Sequence, residues 1–310
     1  MKLASYIHDE SPSFGIVTQA GVIDVPSAWP DGPESLAEAL DGDGPGPDRL
    51  RELAETADPT FSAGAVRLTA PIPRPAKLIG LAVNYHAHHR EFDRGYDLPE
   101  DARQTTTPRP FLMPPTGVAG PGETIPWPEY SRDVDYEIEL AVVIGRRASH
   151  IGPEESPDAI AGYTIANDIS ARRCTHAESR MVRPKDEFFD WLHGKWADGF
   201  CPLGPVLVTA DEIADPMDLD LELTVNGKTR QKANTGLMIF DVFHLVSFCS
   251  RLMTLEPGDV MATGTPSGVG AATGEMLRPG DTVTCRIEGI GELSNTLGSY
   301  PDAFYTPCSI

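Results

Sequence analysis

Short stretches in which apolar and polar residues alternate run through most of the chain, and this period-two pattern predicts β-strands. Residues 2–7 ("KLASYI") and 14–25 ("FGIVTQAGVIDV") open the series near the N-terminus. Helical spacing of apolar residues is clear in a short segment, "RELAET" at 51–56, and in a longer one, "LMIFDVFHLVSFCSRLMTL" at 237–255. The pattern predicts a mainly β protein with some α structure, an α+β fold.

A proline-dense segment, "APIPRPAK" at 70–77, separates two regions of different texture. The residue before a proline disfavours the helical conformation, so this segment is predicted to be an extended connector. It predicts a small β-rich N-terminal domain over 1–70 and a larger domain over 76–310.

Composition excludes several classes of function. The 310 residues carry a formal net charge of -21, which disfavours nucleic-acid binding because phosphate backbones attract basic surfaces. The longest apolar runs fall short of the roughly 20 residues of a membrane span, and the first residues lack the apolar core of a signal peptide. Cysteines number 5 and form no CxxC pair, so reduced thiols are predicted. A cytoplasmic protein without nucleic-acid or membrane partners is expected.

Two carboxylates interrupt an otherwise apolar run, "RDVDYEIELAVVIGRRA" at 132–148. Alternate strand residues share a face, so Glu137 and Glu139 are predicted to point to one side while Tyr136 and Ile138 point to the other. Two like charges on one face are unfavourable without a counter-charge, and a hard divalent cation that prefers oxygen ligands would supply one. Taken alone, the pair also fits an edge strand with two solvated glutamates.

Two further segments place titratable side chains after predicted strands. "GYTIANDISARR" at 162–173 delivers Asp168 at a strand end, where it could be a third oxygen ligand or the N-cap of a following helix. In "LIGLAVNYHAHHREF" at 78–92, His88 and Glu91 are three residues apart and would share one helical face. A histidine oriented by a glutamate is a common general base near neutral pH. The histidines at 86, 88 and 89 also fit a transition-metal site or a solvated loop.

Six motifs in a fixed order resemble the fumarylacetoacetate hydrolase family over residues 76–297. They are NYxxHxxE from 84, DYExEL from 135 with VVIG from 142, NDxSAR from 167, GKxxDGFCPLGP from 194, NGxxRQ from 226 and PGDVxxTGTPxGVG from 257. The resemblance implies a β-roll catalytic domain preceded by a small N-terminal domain, and a homodimer. It also implies that Glu137, Glu139 and Asp168 are metal ligands for Mg²⁺ or Mn²⁺, with Ca²⁺ used by some members.

The resemblance implies roles for further residues that match the motifs. His88 and Glu91 match the pair that activates water, and Lys195 matches the active-site lysine. Candidate substrate contacts are Arg172, Thr265 and Tyr85. The first two match positions that contact carboxylate or keto oxygens, whereas the ring of Tyr85 also fits core packing. His86 and His89 fall on no motif position.

These groups predict an enzyme that acts on a small 2-keto acid. Such an acid chelates a divalent cation through its carboxylate and keto oxygens, and the cation stabilises an enolate at the next carbon. With water activated by His88 and Glu91, and Lys195 near the developing oxyanion, hydrolysis of a C–C bond in an acylpyruvate or fumarylpyruvate type of 2,4-diketo acid is predicted. The same enolate would serve an isomerase or decarboxylase of 2-hydroxydienoates or oxaloacetate-like acids in aromatic-compound catabolism. A silent binding protein is disfavoured, because it would not need this cluster of charges.

Three departures from the family pattern leave the substrate open. Arg173 and Thr175 stand where Asp and Gln are common, and Met113 stands where Lys is common. The segment 173–194 is rich in charged and aromatic residues, and either roofs the pocket or covers the core. Its candidate pocket residues are Arg180, Arg183 and Trp191.

Overall fold

Strands account for most of the regular structure in the computed structural model, which describes residues 1–92, 97–174 and 181–304. The strands are β1 (Lys2–His8), β2 (Ser11–Val17), β3 (Val22–Asp24), β4 (Arg67–Leu68), β5 (Leu78–Leu81), β6 (Pro110–Met113), β7 (Val118–Ala119), β8 (Thr124–Ile125), β9 (Asp133–Asp135), β10 (Ile138–Ile144), β11 (Ile160–Asn167), β12 (Ser170–Arg172), β13 (Cys201–Thr209), β14 (Asp220–Val225), β15 (Lys228–Asn234), β16 (Val260–Ala262), β17 (Thr282–Ile287) and β18 (Gly291–Leu297). The helices are α1 (Val25–Ala28), α2 (Leu36–Ala39), α3 (Gly46–Thr56), α4 (His86–Glu91), α5 (Ala102–Thr105), α6 (Ser156–Ala159), α7 (Asp186–His193), α8 (Val242–Leu252) and α9 (Gly270–Thr273). Short 3₁₀ turns cover Ala63–Ala65, Pro115–Gly117, Ala210–Glu212 and Thr235–Leu237.

Across the described ranges, the strands form three sheets. The largest runs in the order β3-β2-β1-β13-β11-β10-β16-β5-β6, with β4 beside β1 and β7 beside β13. The second runs β15-β14-β17-β18-β8, and β9 pairs with β12 in the third. This arrangement, with short helices between the strands, confirms the predicted mainly β fold with some α structure.

Strand β10 lies between β11 and β16 in the large sheet and is buried along its whole length. Ile138, Leu140 and Val142 contribute to one hydrophobic core, whereas Ala141 and Val143 contribute to another. Alternate residues of a strand point to opposite faces, so this strand supports both cores. A charged residue in such a strand is costly unless it has a partner of opposite charge.

The N-terminal strands belong to the same large sheet as strands that follow residue 76. Lys2 and Leu3 of β1 are opposite Val208 and Leu207 of β13 in an antiparallel register. Strand β2 then pairs with β1 over the whole length of both strands. The division of the chain into domains at 1–70 and 76–310 stays a prediction.

Both predicted helices are present, but their bounds differ from those that the sequence predicts. Helix α3 begins five residues before the predicted 51–56 segment. Helix α8 covers Val242–Leu252 instead of 237–255, because Asp241 caps it by accepting a hydrogen bond from the His244 backbone N–H at 2.9 Å. The backbone just before this cap bonds to Asn84 instead of continuing the helix. Neither α8 nor another helix of the described residues is long and apolar enough to cross a membrane.

Candidate metal centre and active site

Three carboxylates converge where β10 and β11 meet. Glu137 directly precedes β10, Glu139 lies within it, and Asp168 directly follows β11. Because Ile138 is opposite Asn167, the antiparallel register brings the start of one strand to the end of the other. One carboxylate oxygen from each of the three acidic residues lies within 4.8 Å of the others. The cluster is the acidic triad of the site.

The strand that carries the two glutamates is interrupted, in contrast to the continuous strand that the sequence predicts. Strand β9 ends at Asp135 and β10 begins at Ile138. In the gap, the Glu137 backbone N–H donates to the Asn167 side-chain carbonyl at 3.0 Å, and the Asp168 N–H donates to the Glu137 carbonyl at 2.9 Å. These bonds satisfy buried backbone groups that a regular ladder would have paired. Strand β12 follows Asp168, so this aspartate caps no helix.

Lys195 supplies the positive charge inside the acidic triad. Its Nζ donates to Glu137 Oε2 at 2.7 Å and to Asp168 Oδ2 at 2.6 Å, and the side chain is 2% exposed. Glu139 Oε2 instead accepts from the Gly264 backbone N–H at 2.6 Å. The Oδ1 atom of Asp168 is buried and has no hydrogen-bond partner among the described residues. One ammonium group therefore faces three carboxylates.

The three carboxylates differ in how their surroundings shift their pKa values. Burial raises the pKa of Glu139 well above its usual value, and the charges of Asp168 and Glu137 raise it further. Burial also dominates at Asp168, where the pKa rises to about 6 although Lys195 opposes the shift. At Glu137 burial is outweighed by Lys195, Arg172 and His88, and the pKa falls to about 2. The triad lacks enough positive charge to hold all three carboxylates ionised.

A divalent cation fits this donor set. The three residues offer oxygen atoms, which Mg²⁺, Mn²⁺ and Ca²⁺ prefer, and their mutual distances suit metal–oxygen bonds of about 2.0–2.6 Å. The unpartnered Oδ1 of Asp168 is an acceptor that a cation would satisfy. Two positive charges would also balance the excess of three carboxylates over one lysine.

Arg172 lies beside the acidic triad, but carboxylates of the protein occupy its guanidinium group. Its Nε donates to Asp135 Oδ2 at 3.1 Å, and its Nη2 donates to Glu137 Oε1. Asp135 also accepts from the Gly270 backbone N–H at 2.6 Å. Burial opposes the charged form of Arg172, but Glu137 and Asp135 outweigh it and raise the pKa of the guanidinium. In this arrangement Arg172 holds Glu137, and the predicted contact with substrate stays a prediction.

The predicted His88–Glu91 pair is formed on α4, three residues apart on one helical face. His88 Nδ1 lies 2.9 Å from Glu91 Oε2, and Glu91 Oε1 accepts from the Gly268 backbone N–H at 2.6 Å. An ionised carboxylate accepts hydrogen bonds, so this contact favours the proton on Nδ1 and a lone pair on Nε2. His88 is 6% exposed and lowers the pKa of Glu137, which places it within electrostatic range of the triad. The pair has the geometry of an oriented base beside a cation site.

Tyr85 and Thr265 are both buried next to the triad. The Tyr85 hydroxyl has no hydrogen-bond partner among the described residues, and burial and Glu139 raise its pKa. Thr265 follows the glycine that donates to Glu139, and its Oγ1 accepts from Gln231 Nε2 at 2.9 Å. Both positions suit the predicted contacts with substrate, which remain predictions.

Aromatic rings cover the outer side of Lys195. The rings of Phe111 and Trp191 each lie 5.9 Å from Lys195 Nζ and meet each other at 4.9 Å between centroids. Trp191 belongs to α7, so part of the segment 173–194 does border the site.

The other residues singled out in the sequence lie elsewhere or outside the described ranges. Arg183 pairs with Asp186. Arg180 and Thr175 lie outside the described residues, and the side chain of Met113 is buried in the core.

Three residues that organise the site received no role from the sequence, although each lies in a quoted motif. Asp135 binds Arg172 and the backbone of α9. Asn84 donates to the carbonyls of Phe240 and Thr263 at 2.9 and 2.8 Å. Gln231 bonds to the Thr265 loop. Their positions within the motifs indicate that these residues matter, but their roles depend on partners that are distant in the sequence.

The family model described as "Fumarylacetoacetate (FAA) hydrolase C-terminal" matches residues 77–298. The chain belongs to the fumarylacetoacetate hydrolase family. A curated relative, the mitochondrial oxaloacetate tautomerase FAHD2A of Bos taurus, is 36% identical over 292 residues, which is 93% of this chain and 88% of that protein. The predicted family membership is thereby confirmed.

Solved structures of other family members have the same fold. Maleylpyruvate hydrolase from Sphingobium sp. SYK-6, in complex with manganese(II) ion and pyruvate, superimposes with a TM-score of 0.75 at 29% identity, covering 97% of this chain and 100% of that one. The 5-carboxymethyl-2-hydroxymuconate delta-isomerase from Mycobacterium smegmatis gives a TM-score of 0.72 at 32% identity, covering 96% and 100%. Enzymes of this fold thus include hydrolases, isomerases and tautomerases.

Proposed function

We propose that this protein is a divalent-metal-dependent hydrolase that cleaves a C–C bond in a small 2,4-diketo acid of the acylpyruvate or fumarylpyruvate type. The observation that carries the proposal is the His88–Glu91 pair beside the acidic triad, in which a 2.9 Å contact with the partly buried Glu91 orients the buried imidazole. Hydrolysis needs a base that takes a proton from water, and an oriented histidine performs this step near neutral pH. The triad Glu137, Glu139 and Asp168 would hold Mg²⁺ or Mn²⁺, with Ca²⁺ also compatible with the oxygen donors.

Each group of the site has a part in this reaction. A bound divalent cation would supply Lewis-acid stabilisation of negative charge on the 2-keto acid. His88 Nε2 would accept a proton from the attacking water, and Glu91 would hold the resulting imidazolium in place. Lys195, Thr265 and Tyr85 offer donors in the buried site, where hydrogen bonds to a developing oxyanion are strong. Arg172 would keep Glu137 ionised and in position.

Tautomerisation or decarboxylation of an oxaloacetate-like acid is the second candidate, and the names of relatives favour it. FAHD2A of Bos taurus is called an oxaloacetate tautomerase, and the similarity extends over 93% of this chain. Such a reaction needs proton transfer next to the keto group but no attack by water on a distal carbonyl. The same imidazole would serve it, so the products decide between the two candidates.

The test is a substrate panel with product analysis. Acetylpyruvate, fumarylpyruvate, oxaloacetate and a 2-hydroxyhexadienedioate are each incubated with the protein and Mn²⁺ or Mg²⁺, and again with a chelator. Metal-dependent release of pyruvate and a second carboxylic acid supports the hydrolase. An isomer or carbon dioxide without hydrolytic fragments rejects the hydrolase and supports the second candidate.

A homodimer and a role in aromatic-compound catabolism complete the proposal. The family resemblance supports the homodimer and the catabolic role, and it also supports a small 2-keto acid as the molecule that the protein binds. A cytoplasmic location is a further prediction, and relatives include a mitochondrial protein. Light scattering coupled to size-exclusion chromatography measures the oligomeric state directly, since a dimer has twice the mass of the 33.5 kDa chain.

A further inference from the structure

A buried glutamine connects two parts of the site that lie far apart in the sequence. Gln231 belongs to β15 and is 1% exposed. Its Oε1 accepts from the Ile138 backbone N–H, between the two glutamates of the triad, at 3.0 Å. Its Nε2 donates to the Pro266 carbonyl at 2.8 Å and to Thr265 Oγ1 at 2.9 Å. The side chain therefore bridges the strand of the triad and the loop that carries Thr265.

The two backbone partners determine which way the amide of Gln231 points. A backbone N–H only donates, so the atom that faces Ile138 must be the amide oxygen. A backbone carbonyl only accepts, so the atom that faces Pro266 must be the amide nitrogen. The two N–H groups of that nitrogen then have two acceptors, the Pro266 carbonyl and the Thr265 hydroxyl oxygen.

This orientation determines the role of the Thr265 hydroxyl. Its oxygen accepts from Gln231, so its own proton must point elsewhere. Thr265 is 3% exposed, and no hydrogen bond of the described residues takes this proton. A buried donor without an acceptor is unfavourable, and an oxygen atom of a ligand would satisfy it. The neighbouring Gly264 N–H already binds Glu139, so the free donor borders the triad.

We propose that Gln231 is a positioning residue that makes the Thr265 hydroxyl a hydrogen-bond donor to an oxygen of the bound acid. The acceptor is a carboxylate or keto oxygen, because both lack a proton and can only accept. Through Ile138 the same glutamine holds this donor at a constant distance from the backbone of Glu137 and Glu139. The proposal rests on the proposed function, since it takes a 2-keto acid as the ligand.

The test is a double-mutant cycle on Gln231 and Thr265, read out by binding of pyruvate. Thr265→Val removes the donor at nearly constant volume, and pyruvate affinity is expected to fall about tenfold, as for loss of a hydrogen bond to a charged group. Thr265→Ser keeps the hydroxyl and should retain most of the affinity. Gln231→Met leaves the Thr265 proton without a set direction, so a loss of similar size is expected. In the Thr265→Val background, Gln231→Met should cause almost no further loss.

Pyruvate binding is measured by isothermal titration calorimetry at saturating Mn²⁺. The Mn²⁺ affinity and the thermal unfolding midpoint of each variant are also measured without pyruvate. These two values show whether a substitution disturbs the backbone that carries Glu137 and Glu139. Gln231→Glu is the second variant, because its side chain still accepts from Ile138 but lacks one of the two donors when protonated and both when ionised. It should weaken pyruvate binding through Thr265 in the same way.

The outcomes separate the inference from the proposed function. Equal losses from Gln231→Met in the wild-type and Thr265→Val backgrounds would show a purely structural role and overturn the inference. Unchanged pyruvate affinity in Thr265→Val would overturn it as well, while leaving the proposed function in place. A wild-type protein that binds Mn²⁺ but no pyruvate would overturn the proposed function itself.

Discussion

At the scale of single residues, the three buried carboxylates of the acidic triad destabilise the folded protein when no metal is bound. Burial raises the pKa of Glu139 well above its usual value, with contributions from Asp168 and Glu137. The raised pKa favours the protonated form of Glu139 in the metal-free protein, and a metal ion that binds there would displace that proton. The single ammonium of Lys195 bonds to the other two residues of the triad.

Glu139→Gln separates metal binding from folding. Glutamine resembles the protonated carboxyl group in shape and can still accept from the Gly264 N–H, so the unfolding midpoint in chelator should stay the same or rise. Loss of an anionic ligand should reduce Mn²⁺ affinity by about tenfold or more. Calorimetric titration with Mn²⁺ and thermal unfolding in chelator measure the two effects. Glu129→Gln, at an exposed position, is the matched control, and normal Mn²⁺ affinity in Glu139→Gln would refute the ligand assignment.

His88→Ala tests the base on α4. Removal of the imidazole should lower turnover by about 10²–10⁴-fold, the usual contribution of a general base, while Mn²⁺ affinity changes little. Steady-state kinetics and calorimetric titration with Mn²⁺ are the measurements. His86→Ala, on the same helix but outside the motif positions, should keep near-normal turnover. A large loss of Mn²⁺ affinity in His88→Ala would mean that the imidazole is a ligand instead.

At the scale of elements, a buried aspartate joins β3 to α1 far from the candidate site. Asp24 accepts from the Tyr6 hydroxyl at 2.6 Å and from the Ser27 backbone N–H at 2.9 Å, and it also accepts from the Ser13 hydroxyl. Burial alone would raise its pKa, but these donors together lower it below the usual value. The ionised form therefore stabilises the N-terminal strands against the helix that follows them.

Asp24→Asn should destabilise the protein in a pH-dependent manner. The pKa of Asp24 is lower in the folded than in the unfolded protein, so its contribution is complete above the unfolded pKa of about 4 and is lost as pH falls through the folded pKa. The variant should lose about 2 kcal/mol at pH 7, and the difference from the wild type should shrink below pH 4. Urea unfolding at pH 7 and pH 3.5 measures it. Asp31→Asn is the exposed control, and a difference that grows on acidification would contradict the prediction.

At the scale of the whole molecule, a formal net charge of -21 opposes compaction, and three of the acidic residues counted in it form the buried triad. Strand β10 contributes to both hydrophobic cores, so a charged cluster at the start of this strand is costly unless its charges are balanced. A cation bound there would stabilise both cores through one strand. Metal binding should therefore be coupled to global unfolding.

Mn²⁺ should raise the free energy of unfolding of the whole chain. At a free concentration of 100 times Kd, binding to the folded state alone adds about 2.7 kcal/mol, which corresponds to about 4 °C in the unfolding midpoint of a protein of this size. Differential scanning calorimetry across a series of Mn²⁺ concentrations measures this. Glu139→Gln should lose most of the shift. An equal shift in that variant would place the stabilising ion elsewhere on the acidic surface.

The sequence by itself was sufficient for the features that depend on local periodicity and on linked motifs. The apolar run within 132–148 predicted a buried strand, which the structure has at Ile138–Ile144, and the spacing of His88 and Glu91 predicted their contact on one helical face. Six ordered motifs predicted the family. The strand and the His88–Glu91 contact could be predicted because each involves residues within one strand or one helical turn, whose geometry varies little between proteins.

Only the tertiary structure decided how distant residues share the charge of the site. Lys195 meets Glu137 and Asp168 across 58 and 27 residues of chain, and Gln231 reaches Ile138 across 93. Arg172 pairs with Asp135 and Glu137, because a buried guanidinium is most stable between two carboxylates, and its contact with substrate stays a prediction. The start of α8 also depended on a tertiary contact, because the backbone just before Asp241 bonds to Asn84. Such partners follow from strand register and loop packing, which sequence periodicity does not determine.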